Sequence, residues 1–471
     1  MSRALHQLSL TEVAEAIRRK KVSSVEVTQA CIEQAQRVQP KINCFIALEA
    51  EQALKAARKA DQAVRKRGAK TGPLHGVPLA HKDMYYRAGK VSTCGSKILR
   101  DYRPKVTATV VERLEAAGAI WLGNLNMSEF AANPTGHNDH WGHCRNPWNP
   151  DHITGGSSSG SGAVVAARAC YGSLGSDTGG SVRLPAAACG VVGLKSTHGL
   201  VSRYGLLLRS WSQDTVGPLT RTVRDCARIT RVIAGADPRD PSCATFAVPD
   251  YERGLTGKLK GLKIGLPANH YYEGLTPDVA QAMKQSHAVF RSLGARVIEL
   301  PVPDPARMFL LSNIVSISEA SVIHRKWMRE RPQDYSLYVR SRIEPGYHVP
   351  ATTYLEALNL RAHYLAEFIS GVYDKVDLLH TPVMTMPAPT IAETEPKGSG
   401  AVAEIVGRIT RNTRPTNYLG LPALSVPAGL SGKGLPVAFQ LMGRPFSEAL
   451  LFRAADAYQR HTDWHTRIPH L

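Results

Sequence analysis

The sequence predicts an α/β protein with a central mixed β-sheet sandwiched between α-helices. Short apolar runs of strand length alternate with amphipathic helical patterns along most of the chain, which implies a sheet covered on both faces. The 471 residues are 43% hydrophobic and 21% charged, enough for a large core, and no apolar run approaches the ~18 residues of a membrane span.

Leu10, Val13 and Ile17 recur at helical spacing behind Ser9 or Thr11, either of which can cap a helix. A second helix starts at Ser23 or Ser24 and runs to about 38, and an alanine-rich, charged third spans 49–66. Residues 1–70 are therefore expected to be a helical segment packing on a body of 71–471, the whole forming one structural unit. Gly72, Pro73 and Gly76 punctuate the start of that body, and 77–80 reads as a buried strand ending at Lys82. A helix is expected over 107–117, a strand over 120–122, and a loop and turn over 124–130. Further strands are expected at 173–174, 191–194, 263–266, 424–427 and 437–442, with a closing helix over 448–460. The pattern over 312–366 is helical, interrupted by a polar, arginine-rich stretch at 329–350 that reads as a lid or a surface excursion. Residues 237–260 form a long connection, and 387–400 a flexible loop.

The formal net charge is +19, with basic residues scattered rather than clustered among aromatics. A solvated basic surface is the plain account and nucleic acid is not expected as a partner; attraction to tRNA, an anionic polymer or an acidic substrate is the alternative. Eight cysteines with no CxxC pair imply reduced, mostly buried thiols. The opening MSRALHQLSLTEVAEAIRRKK lacks the apolar core of a secretory signal, so a cytoplasmic location without membrane association is expected.

Chemistry concentrates in residues 155–193, GGSSSGSGAVVAARACYGSLGSDTGGSVRLPAAACGVVG. Two serine-bearing glycine turns flank a small-residue helix and a short strand. Glycines let backbone amides converge, as a developing oxyanion requires. Ser157 and Ser181 are the candidate reactive hydroxyls, although a serine in such a turn is more often a helix cap. If GSSSG at 156–160 were a nucleophile elbow, Ser158 would attack, but the preceding RNPWNPDHIT is no strand. A phosphate loop fails too, since neither G-x-x-x-x-G-K-[ST] nor a strand-linked G-x-G-x-x-G is present. A serine can also be activated by a lysine held neutral by its surroundings.

HGVPLAHKDM, GGSSSGSG and GSDTGGSVRLPAAACGVVGLKST together place Lys82, Ser157 and Ser181 in a combination that closely resembles the amidase signature family, with the serines 24 residues apart. GNLNMSEF, CRNPWNPD, HGLVSRYGLL, DTVGPLTRTVRD, TRPTNYLGLPALSVPAG and GLPVAFQLMGRPF extend the likeness from about 8 to 469. The resemblance implies a single amidase signature domain and a Ser-Ser-Lys triad. Ser181 would attack, Ser157, after a cis peptide, would relay the proton, and Lys82 would accept it. The amides of Thr178, Gly179, Gly180 and Ser181 would form the oxyanion hole, with no metal or cofactor. Asp177 and Arg183 read as structural partners of the turn, and Asp214 and Gly217 as residues shaping a neighbouring loop.

Substrate-pocket loops are expected at 85–86, 127–141, 209–211 and within 310–350, with Tyr85, Met127, Ala131 and Trp211 in contact with substrate. The aromatics Tyr85, Tyr86 and Trp211 would favour aryl or alkyl amides, carbamates or esters. The expected activity is hydrolysis of small carboxylic amides through an acyl-enzyme, the partner being the small-molecule amide, with a homodimer left open. The alternative is the A subunit of a glutamine-dependent tRNA amidotransferase, although RSWSQD at 209–214 is bulky for it. His137, His140, His143 and Cys144 have spacing that could suit zinc. No helical pattern gathers them, so a plain or pocket-lining loop is expected.

Overall fold

The computed structural model describes residues 4–66, 71–395 and 400–471. The strands are β1 (Phe45–Leu48), β2 (Pro78–Lys82), β3 (Ile120–Leu125), β4 (Gly172–Asp177), β5 (Val192–Lys195), β6 (Thr215–Thr220), β7 (Lys263–Pro267), β8 (Arg296–Leu300), β9 (Leu378–Pro382), β10 (Ala423–Leu430) and β11 (Pro436–Met442). They form an eight-stranded sheet ordered β4-β6-β5-β10-β11-β9-β7-β8 and a three-stranded sheet ordered β1-β3-β2. The large sheet is mixed: β7 runs parallel to β8 and β9, and its other pairs are antiparallel. Helices cover it, so the expected α/β class holds.

The two sheets meet between β2 and β4. Tyr171 N donates to Pro78 O at 3.4 Å, and Leu174 N donates to His81 Nδ1 at 3.0 Å. Tyr85 Oη closes the same seam on Gly175 O at 2.6 Å. Burial holds His81 near a pKa of about 3, so its imidazole is neutral and able to accept that amide proton. Lys82, at the end of β2, thereby faces Ser176 on β4.

Ser9 and Ser23 cap the first two long helices, Leu10–Arg18 and Ser24–Ile42, each in a reciprocal box with the glutamate three residues on. Such caps contribute about 1 kcal/mol each. The buried stripe Leu10, Val13, Ala14 and Ile17 explains the helical spacing read from the sequence. The first segment is not purely helical, because β1 pairs antiparallel with β3. The expected division at residue 70 lies outside the described residues.

Several expectations change. β1, β6, β8 and β9 are strands that the sequence reading passed over. Gly217 belongs to β6 rather than to a loop: it pairs with Gly175, and a Cβ there would stand 1.7 Å from Leu194 O, so only glycine permits the approach. The stretch 329–350 contains the helix Leu337–Ile343, and part of 387–400 is the short helix Ile391–Thr394; residues 396–399 lie outside the described residues. Pro305–Glu330 is long and apolar enough to cross a membrane by length and composition. In the fold it packs on helices Ala351–Phe368 and Arg414–Leu419.

Candidate active site

Lys82 and Ser157 meet at the seam. Lys82 Nζ donates to Ser157 Oγ at 2.7 Å and to Ser176 Oγ at 2.8 Å, and all three residues are buried. Burial lowers the Lys82 pKa to about 7, while the negative charges of Asp214 and Asp177 pull weakly the other way. Near neutrality the amine is therefore substantially unprotonated and can accept a proton. The peptide before Ser157 is cis. Gly156 permits the turn: a Cβ there would stand 2.5 Å from Asn133 O.

The second turn is organised by Asp177. Its carboxylate accepts from Gly180 N at 2.7 Å, Val182 N at 3.1 Å and Asn417 Nδ2 at 2.8 Å. Arg183 embraces the same carboxylate with Nε and Nη2, each at 3.1 Å, and both side chains are wholly buried. Burial alone would raise the Asp177 pKa, but Arg183 holds it well below the ordinary carboxylate range. These residues are thus partners of the turn, as expected. Gly180 sits at φ +125°, with Thr413 Oγ1 2.5 Å from where a Cβ would be. Its amide is engaged by Asp177, which removes Gly180 from the expected set of oxyanion donors. Among the described residues, the amides of Thr178, Gly179 and Ser181 have no hydrogen-bond acceptor. Thr178 Oγ1 donates to Asp214 Oδ1 at 2.5 Å, and Asp214 also receives Arg209 N at 2.7 Å, so Asp214 ties the turn to the 209–214 loop.

Ser158 N donates to Ser181 O at 3.3 Å, which brings the two serine turns together. Ser181 opens onto a narrow cleft lined by Ala131, Asn133, Thr178, Gly179, Arg209, Ser316, Arg342, Thr410 and Arg414, among others. Ala131 lines this cleft, and loops 127–141, 209–211 and 310–350 each contribute a residue to it. The expected aromatic wall does not form. Tyr85 turns inward to Gly175 O, Met127 is fully buried, and Trp211 points outward with 40% of its surface exposed; none of them lines this cleft. Ser176, Arg342, Thr410 and Arg414 were not singled out from the sequence. Arg414 sits in the TRPTN segment, whose likeness to a family motif was its only signal. A roomier surface cleft of about 800 Å³, bordered by Arg168, Arg221 and Arg460, contains none of Lys82, Ser157 and Ser181.

The histidine-rich loop is tied up otherwise. His137 Nε2 lies 2.9 Å from Thr394 Oγ1, His140 Nε2 lies 2.9 Å from Glu129 Oε1, and His143 Nδ1 receives Asn138 N at 3.1 Å. Among the described residues no group of three His, Cys, Asp or Glu side chains is placed to hold a metal ion.

Fold and site together define an α/β protein with a buried lysine–serine couple beside a glycine-rich turn. The chain belongs to the amidase signature family: the Amidase family profile matches residues 26–452. It is 40% identical to the A subunit of glutamyl-tRNA(Gln) amidotransferase from Geobacter metallireducens, over 98% of this chain and 99% of that one. Among solved structures, 6-aminohexanoate cyclic dimer hydrolase superposes with a TM-score of 0.89 at 28% identity, covering 98% of this chain and 99% of the other. A chain from a vestigial protein complex that bears on the evolutionary origins of an s-triazine catabolic enzyme gives 0.90 at 32% identity, covering 96% and 98%. The glutamyl-tRNA(Gln) amidotransferase A subunit of Thermotoga maritima gives 0.82 at 30% identity, covering 100% and 98%.

Proposed function

We propose that this protein cleaves the C–N bond of a small carboxylic amide by acyl transfer, with Ser181 as nucleophile, Ser157 as relay and Lys82 as base. The observation that carries this reading is the 2.7 Å contact between the buried Lys82 amine and the Ser157 hydroxyl. Ser181 Oγ attacks the carbonyl carbon while its proton passes through Ser157 to Lys82. The amides of Thr178, Gly179 and Ser181 receive the negative charge that develops on the carbonyl oxygen. Collapse breaks the C–N bond, and the leaving nitrogen recovers the proton through Ser157. Water then attacks the acyl ester along the same path, releasing a carboxylic acid and restoring Ser181. The test is acyl trapping: rapid quenching during turnover should give a Ser181 adduct by mass spectrometry, and its absence in an active preparation would refute the assignment. The same chemistry extends to esters and carbamates.

A second reading is favoured by the relatives at 40% identity, which carry the name of the amidotransferase's A subunit. There the same site would release ammonia from glutamine, and the chain would act as one component of an assembly on glutamyl-tRNA. The net charge of +19 is compatible with that setting. Rapid amide hydrolysis by the isolated chain, with glutamine a poor substrate, separates the first reading from the second. A cytoplasmic setting is part of both readings, and the eight free cysteines support it.

A further inference from the structure

Three guanidinium groups, those of Arg209, Arg342 and Arg414, line the same cleft as Ser181, and no Asp or Glu lines it. Two other buried arginines meet a carboxylate: Arg183 meets Asp177 at 3.1 Å and Arg203 meets Asp240 at 3.6 Å. Among the described residues, none of the three cleft arginines has such a partner. Arg209 Nη1 and Arg414 Nε are buried with no hydrogen-bond partner among the described residues. Arg342 donates to Tyr338 Oη at 3.0 Å, and Arg414 lies over the Phe309 ring, its guanidinium carbon 5.4 Å from the ring centre. These are neutral neighbours, and the nearby Asp214 forms no ion pair with Arg209.

The cost of this arrangement is visible in the groups themselves. Burial, then the charges of Arg342 and Arg209, lower the Arg414 pKa to about 9. Burial, then Arg342, lower that of Arg209 to about 10 despite the nearby Asp214. Unpaired buried charge is strongly unfavourable, and three like charges in one small cleft compound it. An anion entering the cleft would relieve all three at once, by bidentate hydrogen bonds that a guanidinium makes best to a carboxylate. Position adds to the argument. The Arg414 guanidinium carbon stands 3.5 Å from where a Gly179 Cβ would project, so positive charge lies directly on the turn whose amides face the reacting carbonyl.

We propose that the substrate carries at least one carboxylate a few atoms from the scissile amide and no ammonium group, and that Arg209, Arg342 and Arg414 receive that carboxylate. This deepens, and rests on, the reading of Ser181 as the nucleophile of an amide hydrolase. It also distinguishes this cleft from one made for a free α-amino acid. Glutamine would bring its ammonium against three guanidiniums without any lining carboxylate to meet it.

Three amides of equal chain length test the proposal. Pentanamide has no charge, glutaramate has the carboxylate, and glutamine has both carboxylate and ammonium. Malonamate, succinamate and adipamate vary the spacing. The wild-type chain should turn over the best monoamide of this series with kcat/KM roughly 10- to 100-fold above the neutral amide of its length. Glutaramate should likewise exceed glutamine. Calorimetry on Ser181→Ala should show binding of that monoamide and none of pentanamide. Arg342→Gln and Arg414→Gln should each reduce the charged-to-neutral ratio at least tenfold, while Tm stays level or rises because repulsion is relieved; a merely structural role would lower it. Equal turnover of neutral and charged amides, preference for glutamine over glutaramate, or no binding of any monoamide to Ser181→Ala would overturn the proposal. If the monoamide binds to Ser181→Ala but the wild type cleaves none of the series, the hydrolase reading fails and the anion specificity stands.

Discussion

The Lys82 amine, at the end of β2, stands 2.7 Å from the Ser157 hydroxyl, and among the described residues no carboxylate is in hydrogen-bond contact with it. Its pKa of about 7, lowered from 10.5 by burial, sets the first prediction. Because the neutral amine is the active form, kcat/KM should rise with pH through about 7 and level off above it. Stability carries the same sign. Between about 7 and 10.5 the unfolded chain binds the proton that the folded one does not, so the Lys82 contribution to stability should grow as pH rises through that window and be lost toward its lower end. A pH–rate profile checks the first statement, and denaturation at several pH values, against Lys82→Met, checks the second.

Ser181→Ala should reduce kcat by three or more orders of magnitude, as loss of a nucleophile does, with little change in substrate binding. Ser157→Ala and Lys82→Ala act on one proton path, so the double variant should be scarcely slower than the worse single one. Multiplicative losses in a double-mutant cycle would show that the two residues act independently.

Ser176 is the second hydroxyl on Lys82. It stabilises the protonated amine, so Ser176→Ala should move the acidic limb of the pH–rate profile to lower pH, with a loss of kcat of roughly tenfold or less. An unmoved limb would mean that Ser176 plays no part in tuning Lys82.

Asp177→Asn strips the buried Arg183 of its counter-charge and should cost about 3–5 kcal/mol of stability, read as a fall in Tm. In the wild type the folded Asp177 pKa lies below the ordinary 3.8, so its stabilisation is present above that value and fades as pH drops toward the folded pKa. Acid denaturation of Asp177→Asn should accordingly be shallower.

Much of this site was legible because its chemistry is compressed into contiguous glycine–serine segments. Asp177 and Arg183 lie six residues apart and Lys82 ends a plain apolar strand, so local spacing sufficed. The missed strands lacked that clarity. β6 carries Gly217 and Pro218, residues that ordinarily argue against a central strand, and only its tight packing against β5 accounts for the glycine. β8 is an edge strand whose RVIEL alternation is interrupted by exposed charges. The cleft was legible as a set of loops but not as a chemistry. Tyr85 and Trp211 look like pocket walls in sequence, yet one points into the seam and the other to solvent. Arg209, Arg342 and Arg414 converge from segments far apart in the chain, a convergence that no window of sequence displays.

The proposed base, Lys82, and the proposed nucleophile, Ser181, come from opposite sides of the junction between the two sheets. Lys82 ends β2 of the three-stranded sheet, Ser176 lies on β4 of the other with Ser181 in the turn after it, and the Ser157 carbonyl receives Ser128 N from the loop beyond β3; bonds such as Leu174 to His81 help to hold the two sheets in register. Turnover should therefore serve as a gauge of alignment: sliding of one half past the other by about an ångström would silence the enzyme while leaving each half folded. His81→Phe, which cannot accept the Leu174 amide proton, is the substitution with which to look for that misalignment.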